Sequence, residues 1–244
     1  MRLDQFLVQH SYFETRARAR DAVLRNTVFI DGTPAKKPSQ KVLEGHKVSI
    51  DDPAVHYVSR AALKLLKALE EFSLSPDDKI CLDIGASTGG FTQVLLEKHA
   101  KVVHAIDVGH DQLAPRIAKN RRVIRKDGLN ARALTLDDLE GQVPQFLVSD
   151  VSFISLKLAL PPALELAEDG ALGVFLVKPQ FEAGRDRLGR GGLVAPGIAE
   201  QIAQELQDWM NEQPNWSVIG VTSSPIKGGD GNSEYLMACR KQLS

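Results

Sequence analysis

KICLDIGASTGGFT, residues 79–92, joins an apolar run to a glycine-rich turn and then to a helical pattern. Lys79 to Asp83 is mostly apolar and ends in a carboxylate, as a buried parallel strand does. In the turn Gly85-Ala86-Ser87-Thr88-Gly89-Gly90, three of six residues lack a Cβ, so backbone can approach a ligand closely. Phe91 to Lys98 then reads as a helix whose free N–H groups face the turn. Strand, glycine turn and helix N-terminus together point to a nucleotide-type ligand. A tight strand-to-helix turn with no ligand is the competing reading, and so many glycines beside two aligned acids weigh against it.

A dinucleotide fingerprint requires glycine at positions one, three and six of such a turn. Position three here is Ser87. Asp107 closes the next apolar run, Val102 to Ile106, where a carboxylate can accept hydrogen bonds from ribose hydroxyls. The arrangement resembles the cofactor loop of S-adenosylmethionine-dependent methyltransferases more than a hydride-transfer site.

On both sides of this stretch apolar runs alternate with helical segments. The runs are 79–85, 102–107, 122–126, 145–150, 171–177, 217–223 and 235–240. Such alternation predicts an α/β fold, a doubly wound Rossmann-like sheet of seven strands. Ser224–Ser233, with three glycines, joins the last two runs as a hairpin would, so the final strand is expected to be antiparallel. Ligands of such sheets sit at the carboxyl ends of the strands. Asp83, Asp107, Asp127, Asp150 and Lys178 should therefore converge.

Composition is that of an ordinary folded chain, with 43% apolar and 25% charged residues. The net charge of −1 hides an asymmetry: residues 1–50 carry nine Lys/Arg against five Asp/Glu, and the remainder is acidic. A basic piece on an acidic body suggests a polyanion-binding module, with a solvated charged face as the plainer alternative. Cys81 and Cys239 lie inside apolar runs and read as reduced core residues of a cytosolic, cytoplasmic protein. The six histidines form no ligand motif, so no metal site is expected. Met1-Arg2-Leu3-Asp4 starts directly into a folded pattern, and no apolar run reaches the roughly 20 residues of a membrane span. Neither secretion nor membrane insertion is expected.

Residues 1–54 read as a small α+β domain. Leu3, Phe6 and Leu7 form the stripe of a short helix, and Thr15 caps a second helix running to about Arg25. Arg16 and Arg20 lie one turn apart on one face. Val28-Phe29-Ile30 and Lys47-Val48-Ser49-Ile50 read as strands, with Lys36, Lys37 and Lys41 between them. The segments RLDQFL, TRARARDAV, VFIDG and KKPSQKVLEGHKVSI resemble the small RNA-binding fold named after a small-subunit ribosomal protein, the S-four type. Asn26 departs from the glycine common there, mildly, since Asn tolerates positive φ; His46 stands where an acid is common. The resemblance implies that Arg16, Arg20, Lys36 and Lys37 grip phosphates of structured RNA. Asp51-Asp52-Pro53-Ala54 is acidic, non-periodic and proline-containing, and marks the boundary to a second domain, 55–244.

The second domain opens with a helix capped by Ser59. Leu63, Leu66 and Leu69, with Ala62 beside them, read as its buried face, with Lys64 at the edge. A lysine there is ordinarily a surface charge, and its interest comes from three later residues. Asp150 ends FLVSD and is followed by Val151-Ser152-Phe153, without the prolines usual in enzymes that methylate base amines. Lys178 ends a buried strand, where its charge is costly unless paired. Glu234 opens the last strand in NSEYL. Lys64 in SRAALKL, Asp150 in SDVSF, Lys178 in LVKPQFE and Glu234 in NSEYL resemble the Lys-Asp-Lys-Glu tetrad of FtsJ-like ribose 2′-O-methyltransferases. With the N-terminal module, the whole chain is similar to the TlyA family, often labelled haemolysin.

That resemblance implies methyl transfer from S-adenosyl-L-methionine to a ribose hydroxyl, on rRNA or ribosomal subunits. A ribose hydroxyl is a poor nucleophile, so the enzyme must align oxygen, carbon and sulfur and orient or remove a proton. A free lysine, with pKa about 10.4, is the wrong base at neutral pH, though burial and a second cation lower it. Lys178 is the candidate base or hydroxyl orienter and Lys64 the neighbouring cation, with Asp150 and Glu234 holding them. Which lysine loses its proton stays open. A buried ion-pair network that merely ties strands together is the bland alternative.

For the cofactor, the resemblance places Asp83, Gly85, Ser87 and Gly89 around the methionine moiety, Asp107 on the ribose, and Asp127 with Gly128 at the adenine. Strand-end capping competes for Asp127. Residues 183–197, carrying Arg185, Arg187 and Arg190, read equally as a mobile RNA-facing segment or a disordered solvent loop. Two other functions stand beside the enzyme: a non-catalytic RNA-binding or ribosome-assembly factor, and a membrane-lytic protein. The intact glycines and tetrad disfavour the first, and the lack of a strongly amphipathic basic helix disfavours the second.

Overall fold

The computed structural model describes residues 1–243, which divide into two compact units, Met1–His56 and Tyr57 onward. The first unit contains α1 (Leu3–Gln9), α2 (Arg16–Leu24), β1 (Val28–Ile30), β2 (Thr33–Pro34) and β3 (Val48–Ile50). Its three strands form an antiparallel sheet in the order β2-β1-β3. Leu3, Leu7, Ala19, Ala22, Val23, Val28 and Ile30 form its core. Thr15 Oγ1 accepts from Arg18 N at 3.3 Å, the expected cap, and Asn26 adopts φ 59°, the left-handed backbone that Asn tolerates. Two buried acids organise this unit. Asp4 pairs with Arg2 and Arg16, and the Arg2 hydrogen bond above all holds its carboxyl down to about 2. Asp52 receives both Nη atoms of Arg25, at 2.8 and 2.7 Å. The acidic stretch that reads as a linker is therefore built into the first unit through Asp52.

The second unit contains α3 (Ala62–Glu71), β4 (Ile80–Ile84), α4 (Gly90–Glu97), β5 (Val102–Asp107), α5 (Pro115–Ala118), β6 (Val123–Asp127), β7 (Phe146–Ser149), α6 (Leu156–Ala159), α7 (Pro161–Leu166), β8 (Leu172–Val177), α8 (Pro179–Glu182), α9 (Pro196–Asn211), β9 (Trp216–Ser223) and β10 (Tyr235–Lys241). Its strands form one sheet in the order β6-β5-β4-β7-β8-β10-β9. The final strand, β10, is antiparallel to both neighbours, as the glycine-rich hairpin predicts. Side chains alternate across the pleat and sort into two cores. Cys81, Val103, Ala105, Phe146, Val148, Val174 and Leu176 meet α3 and α4 on one face. Leu82, Ile84, Ile106, Leu147, Phe175 and Val177 meet α6, α7 and α9 on the other.

The alternation that buries Leu82 and Ile84 puts Asp83 on the face of α3 and α4. Helix α3 buries Ala62, Lys64, Leu65, Ala68 and Leu69; Ala62 and Leu69 of the expected face are buried, while Leu63 and Leu66 are half-buried and Lys64 turns inward. In ALKLLKAL leucines occupy nearly every helical direction, so periodicity admits more than one buried face. No helix among the described residues is long and apolar enough to cross a membrane.

Candidate active site

A cavity of about 350 Å³ opens at the carboxyl ends of β4, β5 and β7. Ile84, Gly85 and Ser87 wall it on one side, Asp107, Val108 and Leu129 on another, and Asp150 to Ile154 on a third. A smaller one of about 70 Å³ lies beside it, reached by Ser59, Asp83, Thr88 and again Gly85, Ser87 and Asp150. Asp107 closes the glycine turn: its Oδ2 accepts from Ser87 N and its Oδ1 from Gly109 N, each at 2.8 Å. Each oxygen keeps a further lone pair.

Asp83 is fully buried. Its Oδ2 accepts from Thr92 Oγ1 at 2.6 Å, while Oδ1 has no partner in the protein. Burial pushes its carboxyl up to about 7; the Thr92 hydrogen bond opposes this and the Asp150 charge adds to it.

The tetrad forms two buried ion pairs. Lys64 Nζ meets Glu234 Oε2 at 2.5 Å, linking α3 to the start of β10. Lys178 Nζ meets Asp150 Oδ1 at 2.6 Å, linking the ends of neighbouring strands β8 and β7. Lys178 also donates to Ser152 Oγ at 2.7 Å and lies 3.4 Å from the Asp150 carbonyl oxygen. Two buried cations thus each have an anion, which is what a low-dielectric site requires.

Three expected cofactor residues lie off the cavity walls. At Gly89, φ is +94° and an added Cβ would fall 2.8 Å from Leu113 Cδ1, so this glycine serves the turn and its packing. Asp127 accepts from Asp111 N at 2.9 Å and lies 3.5 Å from Arg125, the strand-end capping arrangement. Gly128 packs under His110. Gly85 lines both cavities, yet an added Cβ would also meet Val151 at 3.1 Å. Close approach of the chain to itself therefore explains part of the glycine content.

The 183–197 segment, expected as an RNA-facing or solvent loop, is anchored to the body at several points. It contains two single-turn 3-10 helices, Arg185–Arg187 and Arg190–Gly192. Buried Asn232 pins it, donating to Gly192 O at 3.1 Å and accepting from Val194 N at 2.9 Å, and Arg187 pairs with Glu205 of α9. Arg185 and Arg190 are exposed. In the first unit Arg20, Lys36 and Lys37 are exposed, and Arg16 holds Asp4.

Sequence reasoning noted Val151-Ser152-Phe153 only as a turn without prolines and passed over Val108, Gln112, Leu129, Asn130 and Ile154; all line the larger cavity. Phe153 stands out: it is 90% exposed at φ 64°, with its ring centroid 5.0 Å from that of Phe181. An exposed aromatic in left-handed backbone is a strained placement of the kind that gathers at functional sites. Its signal was the SDVSF aromatic beside the tetrad aspartate.

Residues 57–241 match the family described as FtsJ-like methyltransferase, and residues 1–48 match the S4 domain. The chain belongs to the FtsJ-like methyltransferase family. Among relatives of this FtsJ-like methyltransferase, "16S/23S rRNA (cytidine-2'-O)-methyltransferase TlyA" of Mycobacterium tuberculosis is 39% identical, over 99% of this chain and 90% of the relative. "Hemolysin A" of Brachyspira hyodysenteriae is 38% identical, over 97% of this chain and 98% of the relative. A solved structure of a haemolysin-named protein from Streptococcus thermophilus superposes with TM-score 0.79 at 40% identity, covering 100% of this chain and 89% of that one.

Proposed function

We propose that this chain is an S-adenosylmethionine-dependent methyltransferase acting on a ribose 2′-hydroxyl of ribosomal RNA. The observation that carries the reading is the pair of buried ion pairs, Lys64–Glu234 and Lys178–Asp150, with Asp150 forming a wall of both cavities. The rRNA named for the TlyA relative supports the choice of substrate class.

The residues present fit the methyl donor. The unpartnered Oδ1 of Asp83 is a buried acceptor suited to the donor's ammonium group. The free lone pairs of Asp107 suit ribose hydroxyls, and Val108 and Leu129 offer apolar surface for an adenine. Gly85 and Ser87 complete the cradle. When bound, the donor supplies an activated methyl group on a sulfonium; the protein aligns the acceptor oxygen and manages its proton.

On the RNA side, exposed Phe153 offers a face on which a nucleobase can stack. Arg16, Arg20, Lys36 and Lys37 of the first unit, and Arg185 and Arg190 of the second, supply phosphate contacts. Arg16 is the weakest of these because it already serves Asp4.

The test is transfer from labelled S-adenosylmethionine to ribosomal subunits and to naked rRNA, followed by nucleoside mass spectrometry. A 2′-O-methylated nucleoside is expected, absent with Lys178→Ala, which should still bind cofactor. A base-methylated product, or no product on any rRNA, would overturn the reading.

A further inference from the structure

Lys178 is 8% exposed and lines neither cavity; its neighbour Ser152 is exposed and lines the larger one. The 2.7 Å hydrogen bond between them places one hydroxyl between a buried amine and the cavity that the reading above gives to the methyl donor, to which the acceptor ribose must come. We infer that Ser152 carries the substrate proton to Lys178, an inference that rests on the 2′-O-methyltransferase reading above.

Three features of the geometry support a relay. Asp150 already meets Lys178 through Oδ1 at 2.6 Å, so that carboxylate is engaged in holding the amine. A serine hydroxyl both accepts and donates and turns freely, so it accepts from Lys178 when the amine is charged and donates to it when the amine is neutral. In the second state its lone pairs face outward and can accept from a ribose hydroxyl. The segment is also held in place: Val151 backbone atoms lie 3.2–3.3 Å from where a Cβ on Gly85 would stand, which seats the residue before Ser152 against the glycine turn.

The step starts from neutral Lys178, whose proton has gone to solvent before transfer, and from there it balances without any co-reactant beyond the sulfonium methyl donor. The 2′-oxygen bonds to the methyl carbon as the carbon–sulfur bond breaks and its electron pair returns to sulfur. The hydroxyl proton passes to Ser152 Oγ while the serine's own proton passes to the lone pair of Lys178 Nζ. The positive charge that began on sulfur ends on the ammonium beside Asp150.

Ser152→Ala and Ser152→Thr in the full chain test this. Single-turnover transfer to ribosomal subunits should fall by about 100-fold in Ser152→Ala and recover to within about threefold of wild type in Ser152→Thr. The wild-type rate in mixed H₂O/D₂O should curve, as two protons in flight require, and the residual Ser152→Ala rate should be linear. In the cofactor-free protein, Lys178 Nζ protons followed by ¹⁵N magnetic resonance should exchange roughly tenfold faster in Ser152→Ala, while S-adenosylhomocysteine affinity stays within about twofold. An active wild type with Ser152→Ala equally fast would overturn the relay alone. Equal losses in Ala and Thr variants would reduce Ser152 to packing. A wild type that methylates no rRNA would instead overturn the functional reading and the relay with it.

Discussion

Replacing Asp83 by Asn should stabilise the folded chain at pH 8 while weakening its hold on the methyl donor. The carboxyl is fully buried, one oxygen bonded to Thr92 and the other without a partner, and burial pushes it from an ordinary 3.8 up to about 7. Between those values the folded state keeps a proton that the unfolded state has released. Stability therefore falls as pH rises through that window, because the folded state binds more protons there. At 1.36 kcal/mol per pH unit, the full effect above pH 7 is roughly 4 kcal/mol. Asn carries no charge at any pH and its amide oxygen can take the Thr92 hydrogen bond. Its amide nitrogen lacks a sure acceptor, which subtracts about 1–2 kcal/mol. A gain of about 2–3 kcal/mol is expected at pH 8 and a loss of about 1 kcal/mol at pH 4, where wild-type Asp83 is itself neutral in the fold and only the amide's cost remains. Urea unfolding followed by tryptophan fluorescence reads this cleanly, since Trp209 and Trp216 both lie in the second unit. In the same samples, wild-type affinity for S-adenosylhomocysteine should be roughly tenfold weaker at pH 6 than at pH 8, and the variant's affinity should be flat. Equal stability of the two proteins at pH 8, or a difference that ignores pH, would refute the argument.

Three further outcomes follow from the same structure. Lys64→Met should cost about 3–5 kcal/mol by leaving the Glu234 carboxylate buried and unpaired, and adding Glu234→Gln should restore most of it; strict additivity in urea melts would show that the pair does not interact. His104 is fully buried with Nδ1 unpartnered, and burial holds its pKa below the usual 6.5, so the unfolded state gains protons first on acidification. Stability should thus drop between pH 7 and pH 5, and His104→Leu should lessen that drop; an undiminished drop would exclude His104 as its source. Combined Arg20→Ala, Lys36→Ala and Lys37→Ala should lower the salt slope of rRNA affinity by about 2 without altering the melting temperature, while Arg16→Ala should destabilise the first unit by removing one of the two arginines that hold buried Asp4. An unchanged slope would return the three residues to a solvated face.

Much of the fold was legible because its signals are local. Seven apolar runs with intervening helical patterns became the seven strands, and the Ser224–Ser233 glycines correctly announced an antiparallel end. The glycine turn was read correctly as a turn, but its glycines also answer to Val151, Leu113 and Ser59, contacts remote in sequence. The buried face of α3 was read only in part, Leu69 but not Lys64 or Leu65, because leucine-rich helices leave the rotation undetermined until a sheet supplies the other surface. Asp52 looked like linker because nothing near it announces Arg25 as a partner.

Residue identities by themselves determined that this chain has a basic small domain, a doubly wound body and charged groups at its strand ends. These follow from side-chain period, backbone freedom and composition, which act over a few residues. Only the tertiary structure decided who meets whom. Strand order puts β7 beside β8 and β10 on its far side, and so brings Asp150 to Lys178 and the start of β10 near α3. The same packing separates Asp107, which faces the cavity, from Asp127, which caps a strand, although both end apolar runs. It also buries Asp83 with one oxygen unpaired and leaves Ser152 between Lys178 and the cavity. Burial and long-range pairing depend on what the rest of the chain brings to a position, and no local pattern carries that information.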